Sequence, residues 1–334
     1  SPDRTKPLPV PRNPWDTARW TGCSSAGSAA GLVTGAFLGA LGTDSGGSIR
    51  MPSAFCGTTG LKPTYGRVSR DGGLPMGWST DHIGPMATTA RDCALLLAVI
   101  AGPDPADPSA SPAPVPPYAA SLTGDLVGVR IGVDRLDRVG GEVADPALAS
   151  VFAAALDELA ALGADLVEVT LPLYREIAAA SIVLTLSEAL AWHRDDFADR
   201  RGDFFANTIA TVGLAEAFTA VDYVQAQRVR RAGYEAVSAL FDDVDLVVTP
   251  TASIAANPYA RLDRMFESGE FFAVYAPYWN VVGNPALSVP MGFTADQMPL
   301  GLQLIGRPFD EAMVLRAGDA YQLRTTWHRA RPSL

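Results

Sequence analysis

Lysine is almost absent from this sequence, and long apolar runs are absent altogether. Two of the 26 basic residues are lysines, and the formal net charge at pH 7 is -10. The basic residues are scattered, which disfavours nucleic acid or an anionic membrane surface as a partner. The most hydrophobic stretch, residues 95–102, is far shorter than a bilayer-spanning helix, so no membrane span is predicted.

Cysteine and histidine are also scarce. The chain has three of each: Cys23, Cys56, Cys93, His82, His193 and His328. The cysteines form no CxxC pair and leave an odd number, which is typical of a reducing compartment and indicates a cytoplasmic protein. No group of these residues has zinc-ligand spacing, so no metal site is predicted.

What the chain does contain is enough apolar material for a substantial core. It has 334 residues, of which 48% are hydrophobic, and its length fits two domains or one large α/β domain. Hydrophobic patterns predict helices at 24–40, 91–102, 145–164, within 174–240 and at 311–327, strands at 126–133, 165–171 and 244–250, and a late antiparallel pair at 286–293 and 300–306. We interpret residues 42–52 and 103–117 as loops. Strands alternating with helices predict an α/β layered fold with a mixed sheet.

Residues 21–56 are rich in glycine and serine, a composition found in phosphate-binding loops and around catalytic serines. Their glycine spacing does not fit a dinucleotide fingerprint, neither lysine completes a phosphate-binding loop, and no serine has the GxSxG context of an α/β-hydrolase. Ser48 follows Ser45-Gly46-Gly47, where consecutive N–H groups can converge on one anion beside a nucleophile. From this loop alone, a tight glycine turn with an incidental serine remains an equal alternative.

The order of the motifs favours the catalytic interpretation. GCSSAGSAAG precedes GTDSGGSIRMPSAFCGTTGLKPTYGRVS and STDHIGPMATTARDCALLL, and DYVQAQRVRR, VTPT and GNPALSVPMGF follow in the second half. From Pro11 to the end, the sequence resembles the amidase signature family. The resemblance implies one layered α/β/α sandwich around a large mixed β-sheet, over residues 1–334. Its signature core would span about 20–105, and the C-terminal part of the same sheet about 125–334.

The resemblance also implies a Ser–cis-Ser–Lys mechanism that proceeds through an acyl-enzyme without metal or organic cofactor. By motif, Ser48 would be the nucleophile, and Ser24 would relay the proton from a cis peptide. The backbone N–H groups of Ser45, Gly46, Gly47 and Ser48 would form the oxyanion hole. A serine hydroxyl needs a base, and a lysine kept neutral by burial can serve.

The lysine is where the sequence departs from the family pattern. The family's catalytic lysine lies several dozen residues before the bridging serine, whereas Lys6 is 18 positions before Ser24. Lys62 lies in GLKPT, a stretch with a structural role in the family. We therefore expect that the catalytic lysine and its strand are not present in this sequence, which begins without methionine and would be N-terminally incomplete.

Two further positions have alternative interpretations. Cys23 stands where the family usually has a small residue, so it is a candidate for the substrate pocket. A nucleophilic Cys23 is disfavoured because no histidine is near it in sequence. Asp81 and His82 could form a Ser-His-Asp triad with Ser48, an alternative that the resemblance does not support.

One charged pair flanks the glycine turn. Asp44 and Arg50 carry opposite charges on its two sides, and we expect a structural pairing that holds the loop rather than a catalytic role.

These observations together predict a serine hydrolase that cleaves an amide, anilide or carbamate of a small molecule. Two alternatives stay open: the glutamine-hydrolysing subunit of a tRNA-dependent amidotransferase, and a non-catalytic or inactive fragment of the same fold. No nucleic acid or membrane partner is expected, and a homodimer is compatible with the sequence.

Overall fold

An eight-stranded sheet runs through the centre of the protein, whose computed structural model describes residues 10–140, 144–261 and 274–333. A short hairpin of β1 (Arg12–Asn13) and β2 (Asp16–Trp20) precedes it. The sheet consists of β3 (Gly39–Asp44), β4 (Thr59–Lys62), β5 (His82–Ala87), β6 (Arg130–Val133), β7 (Asp165–Glu168), β8 (Leu246–Pro250), β9 (Ala286–Phe293) and β10 (Pro299–Gly306). Their spatial order is β3-β5-β4-β9-β10-β8-β6-β7.

Helices surround this sheet. The longer ones are α1 (Ala26–Val33), α3 (Ala90–Ile100), α5 (Leu148–Ala161), α6 (Tyr174–Trp192), α8 (Ala206–Gly213), α9 (Ala220–Asp243) and α11 (Glu311–Arg324). Shorter ones are α2 (Arg50–Cys56), α4 (Asp137–Gly140), α7 (Arg194–Asp199) and α10 (Pro277–Val282). Within the described ranges, no helix combines the length and apolar character needed to cross a membrane.

The sheet is mixed, which confirms the predicted α/β class. β6 pairs in parallel with β7 and β8, whereas the other pairs in the sheet are antiparallel. Successive strand residues face opposite sides of a sheet. Leu304 accordingly packs into one core and its neighbour Ile305 into another, so both faces are covered. Strands from both halves of the chain share this one sheet.

The predicted helix at 24–40 is wrong in its second half. The helix α1 ends at Val33, and Gly35 adopts a φ of +75°, a conformation that glycine tolerates and that stops a helix. The chain then enters β3. The predicted loop at 42–52 therefore contains the last residues of β3 and the first turn of α2.

Three other predictions need adjustment. The sequence patterns did not indicate β4 or β5, although both are interior strands of the sheet. The helical region predicted within 174–240 is divided into α6, α7, α8 and most of α9, with two 3-10 turns between them. The closing helix ends at Arg324, and a separate 3-10 turn follows at Trp327–Arg329.

Candidate active site

Ser24 and Ser48 lie on neighbouring segments that hydrogen bonds join directly. Ser24 precedes α1, and Ser48 lies in the turn between β3 and α2. The N–H of Ser25 donates to the carbonyl oxygen of Ser48 at 3.1 Å. The hydroxyl of Ser25 also bonds the backbone of Thr43 at 3.2 and 3.3 Å. These contacts fix the two serine segments side by side.

The peptide bond between Cys23 and Ser24 is cis, the geometry that the family resemblance implied for it. Ser24 is exposed and Ser48 is half-buried. Neither hydroxyl donates to or accepts from any residue in the described part of the chain. As far as the described residues go, both hydroxyls are therefore available to a bound molecule.

The turn that carries Ser48 winds around the carboxylate of Asp44. This carboxylate accepts hydrogen bonds from the N–H groups of Gly47, Ile49 and Arg50 at 2.7, 3.1 and 3.3 Å. Gly47 has a φ of +116°, and a Cβ at this position would lie 2.8 Å from the Cβ of Ala276. Only glycine fits this conformation and this space without displacement of a neighbour.

A buried ion pair between Asp44 and Arg50 anchors the turn. The Arg50 Nε and Nη2 atoms donate to the two carboxylate oxygens at 3.0 and 2.9 Å, and neither side chain is exposed. Asn280 and Gln303 accept from Arg50 at 2.6 and 2.7 Å. Burial acts to raise the pKa of Asp44, but the Arg50 charge and the hydrogen bonds keep it below its usual range. The expected structural pairing is confirmed.

The N–H groups expected to form an oxyanion hole differ in availability. Those of Ser45, Gly46 and Ser48 donate to no atom among residues 10–140, 144–261 and 274–333. The N–H of Gly47 already donates to Asp44 at 2.7 Å. Within the described part of the chain, three of the four predicted donors are therefore unoccupied, and the oxyanion hole itself stays a prediction.

Lys62, the last residue of β4, is engaged elsewhere. Its Nζ donates to the carbonyl oxygens of Pro63 and Asn284 at 3.0 and 2.5 Å, and its side chain is fully buried. Burial, and next the charge of Arg50, lower the pKa of Lys62 well below its usual range. It makes no hydrogen bond to Ser24 or Ser48. Lys6 lies outside the described residues.

Asp81 and His82 do not form the alternative triad with Ser48. The Nδ1 atom of His82 lies 2.6 Å from the carbonyl oxygen of Thr80 and 3.2 Å from that of Asp44, so Asp81 does not orient the ring. Burial, and next the charge of Lys62, lower the pKa of His82 well below 6.5. Backbone carbonyl oxygens, and not the Asp81 carboxylate, therefore hold the ring.

Asp81 instead contacts the glycine turn, which the sequence patterns did not indicate. Its carboxylate accepts from the hydroxyl of Ser45 and from the N–H groups of Met76 and Gly77 at 2.8 and 2.9 Å. It thus links the residue that begins the GGS turn to the 72–80 loop. The adjacency of Ser45 and Asp81 follows from β3 pairing with β5, in which Asp44 faces His82.

Cys23 packs against the main core and is half-buried. Burial raises the pKa of its thiol. A thiol of raised pKa is a poor nucleophile at neutral pH.

Known proteins resemble this chain over nearly its whole length. The family model for amidases matches residues 4–315 of the chain. The chain belongs to the amidase signature family. This confirms the resemblance drawn from the motifs, and the family supports amide C–N hydrolysis in general.

Several relatives of this amidase signature protein are named or solved. A glutamyl-tRNA(Gln) amidotransferase subunit from Chloroflexus aggregans is 41% identical over 350 residues, covering 97% of this chain and 71% of that protein. An amidase of Pseudomonas putida is 40% identical over 336 residues, covering 98% of this chain and 71% of that amidase. The solved structure of the native peptide amidase of Stenotrophomonas maltophilia matches this protein with a TM-score of 0.78 at 31% identity. The match covers 96% of this chain and 68% of the peptide amidase.

Proposed function

We propose that the protein hydrolyses a carboxamide, anilide or carbamate through an acyl-enzyme on Ser48. The observation that carries the proposal is the turn at 45–48. Among the described residues, three N–H groups of this turn and the Ser48 hydroxyl have no hydrogen-bond partner, and the cis-linked Ser24 lies on the adjoining segment. Donors fixed where negative charge develops are usually the largest single contribution to acyl-transfer catalysis.

In the proposed reaction, the Oγ of Ser48 attacks the substrate carbonyl carbon while its proton passes to Ser24. The carbonyl oxygen becomes an oxyanion that accepts from the N–H groups of Ser45, Gly46 and Ser48. When the C–N bond breaks, the amine leaves with a proton returned through Ser24. Water then attacks the acyl ester on Ser48 and releases the acid.

The relay requires a base beyond Ser24, and we propose a neutral lysine, as the family resemblance implies. Lys62 is not that base in this account, because two backbone carbonyls hold its Nζ. Among the described residues, no other lysine is present. The cavity-facing role predicted for Cys23 stays a proposal: its half-buried side chain directly precedes the cis bond.

Steady-state kinetics on propionamide test the assignment. Ser48→Ala is expected to lower kcat by about 10³-fold or more, since the nucleophile is lost. Ser24→Ala is expected to lower kcat with KM little changed, because Ser24 acts on the proton and not on binding. Ser28→Ala is the control, since its hydroxyl donates to the carbonyl of Leu41 at 3.0 Å and lies outside the reaction. Wild-type turnover in Ser48→Ala contradicts the proposal.

A second candidate function is glutamine hydrolysis within an amidotransferase. The amidotransferase relative, 41% identical over 97% of this chain, favours it. Glutamine turnover that exceeds propionamide turnover, together with copurification of partner subunits, would support this function. A protein that turns over neither amide and does not react with a fluorophosphonate would support the non-catalytic alternative.

A further inference from the structure

A cavity of about 340 Å³ lies beside the glycine turn. Ser45 and Asp81 form its wall towards the turn, and Leu74, Met76, Trp78 and Trp192 supply much of the rest. Sites for small organic groups are typically of this size, with mainly apolar walls and a few polar atoms. Because Ser45 belongs to both the turn and the cavity wall, a group in the cavity can be part of a molecule whose carbonyl lies at Ser48.

Two tryptophans form an aromatic pair on this cavity. The rings of Trp78 and Trp192 are 5.4 Å apart at an angle of 58°. Trp78 is 53% exposed and Trp192 47% exposed, so about half of each residue remains available for contact. Large aromatic side chains contribute strongly to the recognition of apolar groups.

The cavity wall is held in place before any ligand arrives. The N–H and hydroxyl of Ser79 donate to the carboxylate of Glu188 at 2.7 and 2.8 Å. The hydroxyls of Thr80 and Thr185 are 3.1 Å apart. Glu188 and Thr185 belong to α6, which ends at Trp192, so these contacts fix the Trp78 segment to the helix that carries the second ring.

Most charged groups of the cavity already have partners within the protein, whereas the exposed Asp71 carboxylate has none among the described residues. The guanidinium of Arg70 donates to the carbonyl oxygen of Trp78 at 2.5 Å and to the hydroxyl of Ser109 at 2.6 Å. It also lies 3.6 Å from the carboxylate of Asp107. Asp81 accepts three hydrogen bonds. Charges paired in this way need no counter-ion from a ligand, and the Asp71 carboxylate is exposed to water, so the lining favours an uncharged ligand.

We propose that this cavity receives an uncharged aromatic or similarly bulky apolar group of the amide substrate, and that Trp78 and Trp192 determine this specificity. The inference rests on the proposed function of Ser48. It deepens that function by naming a substrate class: a neutral amide with an aryl group on the acyl or the amine side.

Matched amides test the specificity. The kcat/KM for 3-phenylpropionamide is compared with that for propionamide, and the kcat/KM for acetanilide with that for acetamide. Both comparisons are made in the wild type, in Trp192→Ala and in Trp78→Ala. Each variant is expected to lose about tenfold or more on the preferred aromatic member, and less than twofold on its small partner. Trp327→Ala is the control, because Trp327 is also partly exposed but lies at a different cavity. An unchanged aromatic preference, or an equal loss on both members, overturns the proposal.

A binding measurement separates this inference from the proposed function. The Kd for 3-phenylpropionamide and for acetanilide is measured by calorimetry with the Ser48→Ala protein, with and without Trp192→Ala. If the wild type hydrolyses no amide yet either ligand binds at least tenfold more weakly after loss of Trp192, the cavity assignment holds and the hydrolase proposal fails. If neither ligand's affinity depends on Trp192 and no aromatic amide is preferred, the cavity assignment fails.

Discussion

Gly47→Ala changes the backbone geometry of the turn while leaving the Ser48 hydroxyl in place, so it tests whether that geometry is needed for catalysis. Gly47 has a φ of +116°, and an added Cβ would lie 2.8 Å from the Cβ of Ala276. The substitution therefore strains the backbone and also pushes the turn away from Ala276. Gly46 and Ser48, whose N–H groups are two of the proposed oxyanion donors, are the immediate neighbours of the displaced residue.

The expected magnitudes follow from these two effects. A non-glycine residue in a sparsely populated backbone region costs about 1–3 kcal/mol, and overpacking adds about 1–3 kcal/mol. We expect the free energy of unfolding to fall by about 2–6 kcal/mol. Loss of one oxyanion donor lowers kcat by about 10²–10³-fold, and we expect a loss of this size with KM little changed.

Gly35→Ala is the matched control. Gly35 also has a positive φ, +75°, but a Cβ there would have no heavy atom within 4 Å. Only the backbone strain of roughly 1–2 kcal/mol applies, and kcat is expected to stay at the wild-type value. Urea unfolding followed by circular dichroism measures stability, and propionamide hydrolysis measures kcat. A Gly47→Ala protein that is folded at the assay temperature with wild-type kcat refutes the reasoning, as does a Gly35→Ala protein that loses as much activity.

Three more perturbations have defined outcomes. Asp81→Asn weakens the bond to Ser45 and should lower kcat about tenfold with KM nearly constant. Asp157→Asn, at an exposed carboxylate of α5 away from the cavity, should have no effect, and equal kcat in both variants would contradict a positioning role. Because the folded-state pKa of His82 is lowered, the unfolded chain alone binds a proton below pH 6.5. The His82 contribution to the free energy of unfolding is thus fully present above pH 6.5 and declines below it, by up to about 1.4 kcal/mol per pH unit. If the free energy of unfolding of His82→Gln, measured with urea, falls with pH as steeply as that of the wild type, this prediction is wrong. Arg50→Leu leaves the buried Asp44 carboxylate unpaired and should reduce the free energy of unfolding by about 3–5 kcal/mol, so a loss below about 1 kcal/mol would show that the pair does not anchor the turn.

The second half of the fold was more predictable because its strands are rich in apolar and β-branched residues. The runs at 126–133, 165–171 and 244–250 overlap the observed β6, β7 and β8, and the late pair matches the antiparallel β9 and β10. β8, β9 and β10 are almost entirely buried and are predictable from hydrophobicity alone, whereas β7 is largely exposed.

The first half was harder to predict because its elements are short and rich in glycine and proline. β5 contains Gly84 and Pro85, residues that normally argue against a central strand. Its place in the sheet follows from pairing with β3 and β4, which is tertiary information.

The candidate site shows the same division between local motif and tertiary contact. The motif indicated Ser48, Ser24 and the Asp44–Arg50 pairing, since these lie within one contiguous stretch. The occupied N–H of Gly47 was not predictable, because composition does not reveal which way the Asp44 carboxylate turns. The contact between Asp81 and Ser45 joins residues 36 positions apart and required the strand register.

Covalent labelling of Ser48 tests the central claim most directly. The protein is incubated with a fluorophosphonate and examined by intact-mass and peptide-mapping mass spectrometry, alongside Ser48→Ala and Ser28→Ala. We predict a single adduct on Ser48, which disappears in Ser48→Ala and persists in Ser28→Ala. An adduct on another residue such as Ser24 or Cys23, or amide turnover that persists without any adduct, would contradict the account.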